Sequence, residues 1–116
     1  MISEDERVLL WAAVEDVTGM WEAEWELRSR RPEWSNDRLR RCAHVSLKEL
    51  LRLGYIELFT CQEPYGQLTA LDATDSTRAI HDLQWWEPPA FEGISVRFAA
   101  TPAGRAAYNE SCEERS

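Results

Sequence analysis

Basic side chains recur at helical spacing between residues 36 and 52. The residues on one side of a helix over this stretch are Arg38, Arg41, Val45, Lys48 and Arg52, and those on the opposite side are Leu39, Ala43, Leu47, Leu50 and Leu51. Guanidinium and ammonium groups along an exposed helix can neutralise phosphates of a nucleic acid. The stretch therefore predicts an amphipathic helix suited to a polyanion, and the alternative is an ordinary solvated face of a soluble helix.

The charge of the chain is segregated along its length. The net charge is −8, but residues 28–52 contain eight basic and three acidic residues, giving +5. Residues 1–27 sum to −7 and residues 53–116 to −6. A uniformly acidic surface repels phosphate, whereas a concentrated basic face still binds it locally. The distribution therefore restricts nucleic-acid binding to the central stretch.

Other reactive side chains lack the spacing that a metal or catalytic site needs. Cys42, Cys61 and Cys112 are odd in number and far apart, and they do not combine with His44 or His81 at the spacing of metal ligands. The sequence also has no glycine-rich phosphate loop and no nucleophile elbow. It therefore predicts no metal site, no cofactor and no enzymatic activity.

Nothing in the sequence indicates a membrane segment. No apolar run reaches the roughly 18 residues needed to cross a bilayer, and the charged opening SEDER is unlike a signal peptide. With 116 residues and a hydrophobic fraction of 44%, the chain can bury one core without disulfides. We therefore expect a single domain over residues 1–116, a cytoplasmic location and reduced thiols.

The N-terminal part predicts two helices or one long one. A first helix over residues 3–17 would be capped by Ser3, and Thr18-Gly19 would interrupt it before a second helix over residues 19–30. The alternative is one long helix with a tryptophan seam, formed by Trp11, Val14, Thr18, Trp21 and Trp25. Core packing is the default explanation of this spacing, and a homodimer through the N-terminal helices is the alternative.

The third helix is predicted to begin at Ser35 or Asn36 and to end at Gly54, because glycine readily adopts the left-handed conformation that follows a helix. The elements predicted after it are strands over residues 55–61 and 67–71, a turn over residues 63–66, a helix over residues 77–86, a strand over residues 94–100 and a helix over residues 102–111.

Two caps are predicted for the later helices. Asp75 or Ser76 would cap the helix over residues 77–86, and Thr101 would cap the last helix, with Pro102 at its first position. The acidic tail NESCEERS is expected to fray beyond this helix.

The order of these elements resembles a winged helix of the kind found in PadR-like and MarR-like transcriptional regulators. The segment LKELLRLGYIELF is similar to the end of a recognition helix that enters the first wing strand. The segment VRFAATPAGRAAY is similar to the second wing strand followed by a helix start. The resemblance implies an α+β fold with three N-terminal helices, a two- or three-stranded wing with a helical insertion, and a C-terminal helix.

The resemblance also implies a DNA-binding transcriptional regulator that acts as a homodimer. Arg41, Lys48 and Arg52 would then meet phosphates or base edges in the major groove of double-stranded DNA. Arg38 and Arg40, near the start of the helix, would reach backbone phosphates.

A protein-interaction module is the alternative function, because a fold does not fix its use. Residues 60–94 contain six acidic residues and one arginine, whereas wings that bind DNA often carry basic tips. The arginines would then bind an acidic partner, and Trp85 and Trp86 in the segment WWEPPAF would form an exposed contact patch. Trp21 and Trp25 are further candidates for partner binding. We favour the other interpretation of WWEPPAF, a local cover packed on the core.

Overall fold

The first helix begins at its predicted cap. The computed structural model describes residues 2–64 and 66–115, and helix α1 spans Glu4–Glu15. The Ser3 hydroxyl accepts a hydrogen bond from the Glu6 amide at 3.1 Å, and the Glu6 carboxylate accepts one from the Ser3 amide at 2.8 Å. This reciprocal cap satisfies two amides that have no partner inside the helix.

Thr18 and Gly19 leave the helical path and form a short strand, β1 (Thr18–Gly19). They pair antiparallel with Phe98 and Arg97, so contacts with a distant strand replace helical hydrogen bonds. The chain continues through a 3₁₀ turn, Met20–Glu22, into a short helix α2, Ala23–Arg28. The alternative of one long helix with a continuous tryptophan seam is therefore wrong, and the second helix is shorter than predicted.

Helix α3 spans Asn36–Arg52, as the sequence predicts. Ser35 is its cap, since the Ser35 hydroxyl accepts a hydrogen bond from the Arg38 amide at 3.2 Å. Gly54 follows with a φ of 75°, which glycine adopts without a steric penalty. The buried residues of the helix are Leu39, Ala43, Ser46, Leu47 and Leu50. The predicted apolar face is therefore confirmed for four of its five residues, and Leu51 is half-buried.

The strands form one antiparallel sheet. The later strands are β2 (Ile56–Gln62), β3 (Leu68–Ala70) and β4 (Ile94–Ala100), and the strand order is β1-β4-β2-β3. β2 and β4 pair along their full length. The α+β class is thus confirmed for the described residues, although the sequence did not predict β1. Tyr65, in the predicted turn after β2, lies outside the described residues.

Residues 63–93 connect β2 to β4, and we call this segment the excursion. It contains a helix that starts earlier than predicted. Helix α4 spans Ala73–His81. Asp72 caps it, because its carboxylate accepts a hydrogen bond from the Asp75 amide at 2.7 Å. The prediction of a helix over residues 77–86 with Asp75 or Ser76 as its cap is therefore wrong. The Asp72 carboxylate reaches an amide of the first helical turn that has no partner inside the helix, as the side chain of a cap residue does.

The same helix also ends earlier than predicted. The backbone is extended at Asp82, and a separate 3₁₀ turn, Leu83–Trp86, follows. The indole N–H of Trp86 donates a hydrogen bond to the carbonyl oxygen of Ile80 at 2.9 Å. This bond folds the tryptophan back under α4, so a continuous helix through residue 86 would lose a buried contact.

The last helix, α5, spans Pro102–Arg115. Its predicted cap is confirmed, since the Gly104 amide donates to the Thr101 hydroxyl at 3.0 Å. A Cβ atom on Gly104 would overlap the carbonyl oxygen of Tyr55, so the close contact between α5 and the backbone just before β2 requires glycine here.

Helix α5 continues through residues 109–115, which were predicted to fray; Ser116 lies outside the described residues. Contacts with α1 explain the extension. The rings of Trp11 and Tyr108 stack with centroids 5.1 Å apart. Arg7 donates hydrogen bonds to the Ser111 hydroxyl and the Cys112 thiol, each at 3.2 Å.

Candidate nucleic-acid interface

The outward side of α3 carries four exposed cations. Arg38, Arg41, Lys48 and Arg52 are exposed, and 68% of the Val45 surface is exposed between them. We call these five residues the α3 basic face. They lie opposite the buried leucines of the same helix, so the packing of the core fixes the direction in which they point.

Two cations of the α3 basic face have partners within the chain. Arg52 donates hydrogen bonds to the Glu49 carboxylate at 2.5 and 2.8 Å, which raises the pKa of the guanidinium and lowers that of the carboxyl group. An exposed pair of this kind contributes little stability, so a phosphate can replace the carboxylate at little cost. The Arg38 guanidinium lies 4.0 Å from the centroid of the Trp34 ring, which orients it and leaves its charge available.

The other two cations have no carboxylate partner among residues 2–64 and 66–115. Neither Arg41 nor Lys48 takes part in an ion pair or a side-chain hydrogen bond within this part of the chain. They are seven residues apart, which is about 10.5 Å along a helix axis. Two uncompensated charges at this separation are the strongest feature of the surface for binding an anion.

Arg40 has a different environment from the other four predicted DNA contacts. It is half-buried, and its guanidinium donates hydrogen bonds to Glu24 at 2.5 Å and to Glu87 at 3.0 Å. These bonds, chiefly the one to Glu24, raise the pKa of Arg40. Arg40 therefore connects α2 and the excursion to α3, and a phosphate could reach it only by displacing these carboxylates.

The acidic residues of the excursion are largely engaged within the chain. Glu87 pairs with Arg40, and Asp75 lies 3.9 Å from Arg78. Asp72 and Asp82 accept hydrogen bonds from backbone amides at the starts of α4 and the following 3₁₀ turn. The excursion therefore opposes a polyanion less strongly than its composition suggests.

The segment WWEPPAF is folded partly onto the core. Trp86 is only 2% exposed and Trp85 packs against the core at half burial, whereas Phe91 is 84% exposed. The prediction of an exposed patch containing Trp86 is therefore wrong, because its indole is held beneath α4. The favoured interpretation, a cover over the core, is confirmed for Trp85 and Trp86.

The two N-terminal tryptophans proposed for partner binding have unequal exposure. Trp25 has 55% of its surface exposed on α2, whereas Trp21 is half-buried. The Arg97 guanidinium lies 5.0 Å from the centroid of the Trp21 ring. Trp21 therefore has a structural contact, and Trp25 is the one available to a partner.

A histidine cluster joins α3 to the excursion, and the sequence did not indicate it. The ring centroids of His44 and His81 are 5.1 Å apart, and the Trp86 ring is 5.8 Å from His44. Burial, followed by the charges of His81 and Lys48, lowers the pKa of His44. The buried Nε2 atom of His44 has no hydrogen-bond partner in the described part of the chain. His44 therefore favours its neutral form in the folded protein.

We expect acidification to destabilise the wild-type protein more than a His44→Gln variant. Because the pKa of His44 is lowered on folding, the unfolded chain takes up a proton first as the pH falls below about 6.5. Proton uptake by the unfolded chain lowers the free energy of unfolding. The stability that neutral His44 contributes is therefore fully present above about pH 6.5 and is lost as the pH falls toward the lower pKa of the folded state. Urea unfolding at about pH 7.5 and about pH 5.5 measures the difference.

His81→Gln is the matched control for this measurement. It keeps His44 and its burial, which is the main cause of the lowered pKa, so most of the pH dependence should remain. A pH profile that His44→Gln leaves unchanged would mean that this residue binds protons equally in the folded and unfolded states.

A buried ion pair joins β4 to the turn after β2, and it too was missed from the sequence. The Glu63 Oε1 atom accepts hydrogen bonds from Arg97 Nε and Nη2 at 3.0 and 2.8 Å, and from the Ser95 hydroxyl at 2.6 Å. Arg97 also donates to the carbonyl oxygen of Val17 at 3.2 Å. The arginine therefore connects β4, the segment before β1 and the turn after β2.

The remaining chemistry and the comparisons add no established activity. No group of three or more histidine, cysteine or acidic side chains within residues 2–64 and 66–115 is arranged to hold a metal ion. In the same part of the chain, no helix is both long and apolar enough to span a membrane. No protein-family model, curated protein or solved structure matches this chain.

Proposed function

We propose that this chain is a winged-helix domain that binds double-stranded DNA through the α3 basic face. The order of the elements supports this fold. Helix α3 leads directly into β2, and β2 pairs with β4 from Ile56 to Gln62 as the two strands of a wing would. The excursion of residues 63–93 then occupies the position of the wing tip.

The observation that carries the proposal is the pair of uncompensated cations on α3. Arg41 and Lys48 lie on the outward side of a helix whose inner side is fully packed. A helix enters the major groove of DNA, which is about 12 Å wide, and cations along its flank reach the phosphates that border the groove. Val45, exposed between the two cations, offers methyl groups that can contact a thymine methyl.

The local charge balance also supports this proposal in a chain with a net charge of −8. Glu87 and Asp75 are paired with arginines, and Glu49 is paired with Arg52. Paired carboxylates present weaker fields to an approaching polyanion than isolated ones. Within the part of the chain that the structure describes, neither Arg41 nor Lys48 forms an ion pair, so both charges remain available to a phosphate.

The proposal predicts a steep dependence of DNA affinity on salt. If Arg38, Arg41 and Lys48 each neutralise one phosphate, the affinity should fall about 40-fold between about 50 and about 200 mM salt. The double variant Arg41→Ala/Lys48→Ala keeps one of these contacts, so its affinity should fall only about fourfold over the same range. Fluorescence anisotropy of a labelled random-sequence duplex measures both values.

The matched control is Arg30→Ala/Arg105→Ala, which removes the same charge from exposed positions away from the α3 basic face. This control should keep the salt dependence of the wild type. A control that loses as much binding as the α3 variant would assign the effect to net charge. Absence of binding at about 50 mM salt, with the protein folded by circular dichroism, would exclude DNA binding by this surface.

The second candidate is a protein-interaction module, and the exposed apolar residues of the excursion favour it. Phe91 and Leu83 have 84% and 69% of their surfaces exposed, and Trp25 is also exposed. Large apolar side chains of this kind commonly anchor protein interfaces. This candidate predicts a protein partner whose binding is weakened by Phe91→Ser and by Arg41→Ala/Lys48→Ala, with no binding of duplex DNA by the wild type.

A further inference from the structure

We infer that a groove beside α3 binds a small aliphatic monocarboxylate, with Lys48 holding the carboxylate group. The groove has a volume of about 1130 Å³ and runs between three elements. Val45, Lys48 and Leu51 line it from α3, Ile2 lines it just before α1, and Ala73 lines it from the start of α4. Grooves of about this size between helices are common ligand sites in soluble proteins.

The apolar lining of the groove indicates an aliphatic ligand. Its hydrophobic side chains are those of isoleucine, valine, leucine and alanine, and no Phe, Tyr or Trp belongs to it among the described residues. Val45 is 68% exposed, so it offers methyl groups that water now covers. Burying an alkyl chain against these groups releases that water and gives a gain that grows with each methylene.

The charges of the groove select an anionic head group. Glu6 accepts a hydrogen bond from the Ser3 amide, and Glu49 is paired with Arg52. Lys48 has no carboxylate partner within residues 2–64 and 66–115. A ligand with one negative charge supplies the partner that this ammonium lacks, and a second negative charge would face the two glutamates.

The position of the groove gives the ligand a regulatory role that rests on the proposed DNA binding. Val45, Lys48 and Arg52 belong both to the groove and to the α3 basic face. A carboxylate on Lys48 neutralises one of the phosphate contacts, and an alkyl chain over Val45 covers the methyl groups that would contact a base. The ligand and DNA therefore compete for one surface, and occupancy by either one disfavours binding of the other.

The ligand site is tested without DNA, by isothermal titration calorimetry of the full chain with hexanoate, heptanoate, octanoate and octan-1-ol. Affinity should rise up to about fourfold for each added methylene that is buried, since burial of one methylene contributes about 0.8 kcal/mol. Octan-1-ol should bind at least about tenfold more weakly than octanoate, because it cannot form the charge-assisted bond to Lys48.

Two variants separate the head group from the chain. Lys48→Met keeps the aliphatic stem, so it should weaken octanoate about tenfold and leave octan-1-ol unchanged. Val45→Asp should abolish binding of both. The matched controls Arg78→Met and Leu83→Asp change an exposed arginine and an exposed leucine that do not line the groove, and both should bind octanoate as the wild type does.

Several outcomes would overturn the assignment. Equal affinity for octanoate and octan-1-ol, or full octanoate binding by Lys48→Met, would mean that Lys48 does not bind the carboxylate group of the ligand. Full binding by Val45→Asp would locate the ligand elsewhere. If the wild type is a dimer that does not bind octanoate, and Val45→Asp converts it to a monomer, the occupant of the groove is a second copy of the chain.

A final measurement distinguishes this inference from the proposed function. Octanoate at saturation should weaken DNA binding by the wild type in the anisotropy assay, whereas octan-1-ol, which does not neutralise Lys48, should weaken it less. Octanoate binding by a protein that never binds DNA would refute the proposed function and keep the ligand site. DNA binding that octanoate leaves unchanged, despite measured occupancy of the groove, would refute the competition.

Discussion

Replacing Glu63 with alanine is expected to lower the free energy of unfolding by about 3–5 kcal/mol, because the buried Arg97 guanidinium loses the carboxylate that faces it. Arg97 is only 4% exposed, so water cannot take the place of that carboxylate. The Ser95 hydroxyl loses its acceptor in the same change. Urea denaturation followed by tryptophan fluorescence measures the loss.

The conservative and double variants test whether the charge pair itself is responsible. Glu63→Gln keeps an oxygen acceptor but removes the charge, so its loss should be smaller than that of the alanine variant. Glu63→Met with Arg97→Met removes both charges and fills similar volume. Its loss should be smaller than the sum of the two single losses, since apolar replacement of a whole buried pair is often close to neutral.

Glu57→Ala is the matched control, because Glu57 is an exposed glutamate on β2, the strand that pairs with β4. Its free energy of unfolding should change by no more than about 0.5 kcal/mol. An equally small change in Glu63→Ala would mean that Glu63 and Arg97 do not form a buried pair in solution. The linkage between β4 and the turn after β2 would then need another explanation.

Local signals in the sequence predicted most of the elements that present the α3 basic face. Ser35 and Gly54 define the two ends of α3 because a cap and a left-handed glycine act within a few residues. Thr101 defines the start of α5 for the same reason. The alternation of buried leucines with cations was sufficient to predict the rotation of α3, since a helix has a fixed period.

Contacts between distant residues could not be predicted in this way. The short strand β1 exists because Thr18 and Gly19 pair with Phe98 and Arg97, about eighty residues later in the chain. The resemblance to winged-helix regulators assigned Arg40 to a DNA phosphate, but its guanidinium is held by Glu24 and Glu87 from two other parts of the chain. Local periodicity contains no information about which carboxylates the fold brings to an arginine.

Contacts with remote parts of the chain also explain why the second face of β4 is buried. Ile94, Val96 and Phe98 alternate along β4, a pattern that indicates one apolar face, yet Ile94 is 49% exposed and the intervening Ser95 and Arg97 are buried. The Trp21 ring and the turn after β2 cover that face, and both come from remote parts of the chain. A polar residue on a strand is normally assigned to solvent, so the pattern alone suggests exposure.

Replacing Leu47 with alanine is expected to destabilise the protein by about 2–5 kcal/mol, because the truncation leaves a cavity in a closely packed core. Leu47 is 0% exposed and belongs to the cluster that joins α1, α3 and the sheet. Val45, two residues earlier on the same helix, is 68% exposed. Val45→Ala is therefore the matched control and should be neutral or slightly stabilising, since alanine is the better helix former.

The contrast between these two variants also tests the orientation on which the proposed function depends. If Leu47 faces the core, a residue near the opposite side of the helix must face solvent, and the helical period then brings Arg41 and Lys48 outward with Val45. Equal stability of Leu47→Ala and the wild type would mean that α3 is rotated. Arg41 and Lys48 would then no longer share an open surface, and both DNA binding and the carboxylate site would lose their structural basis.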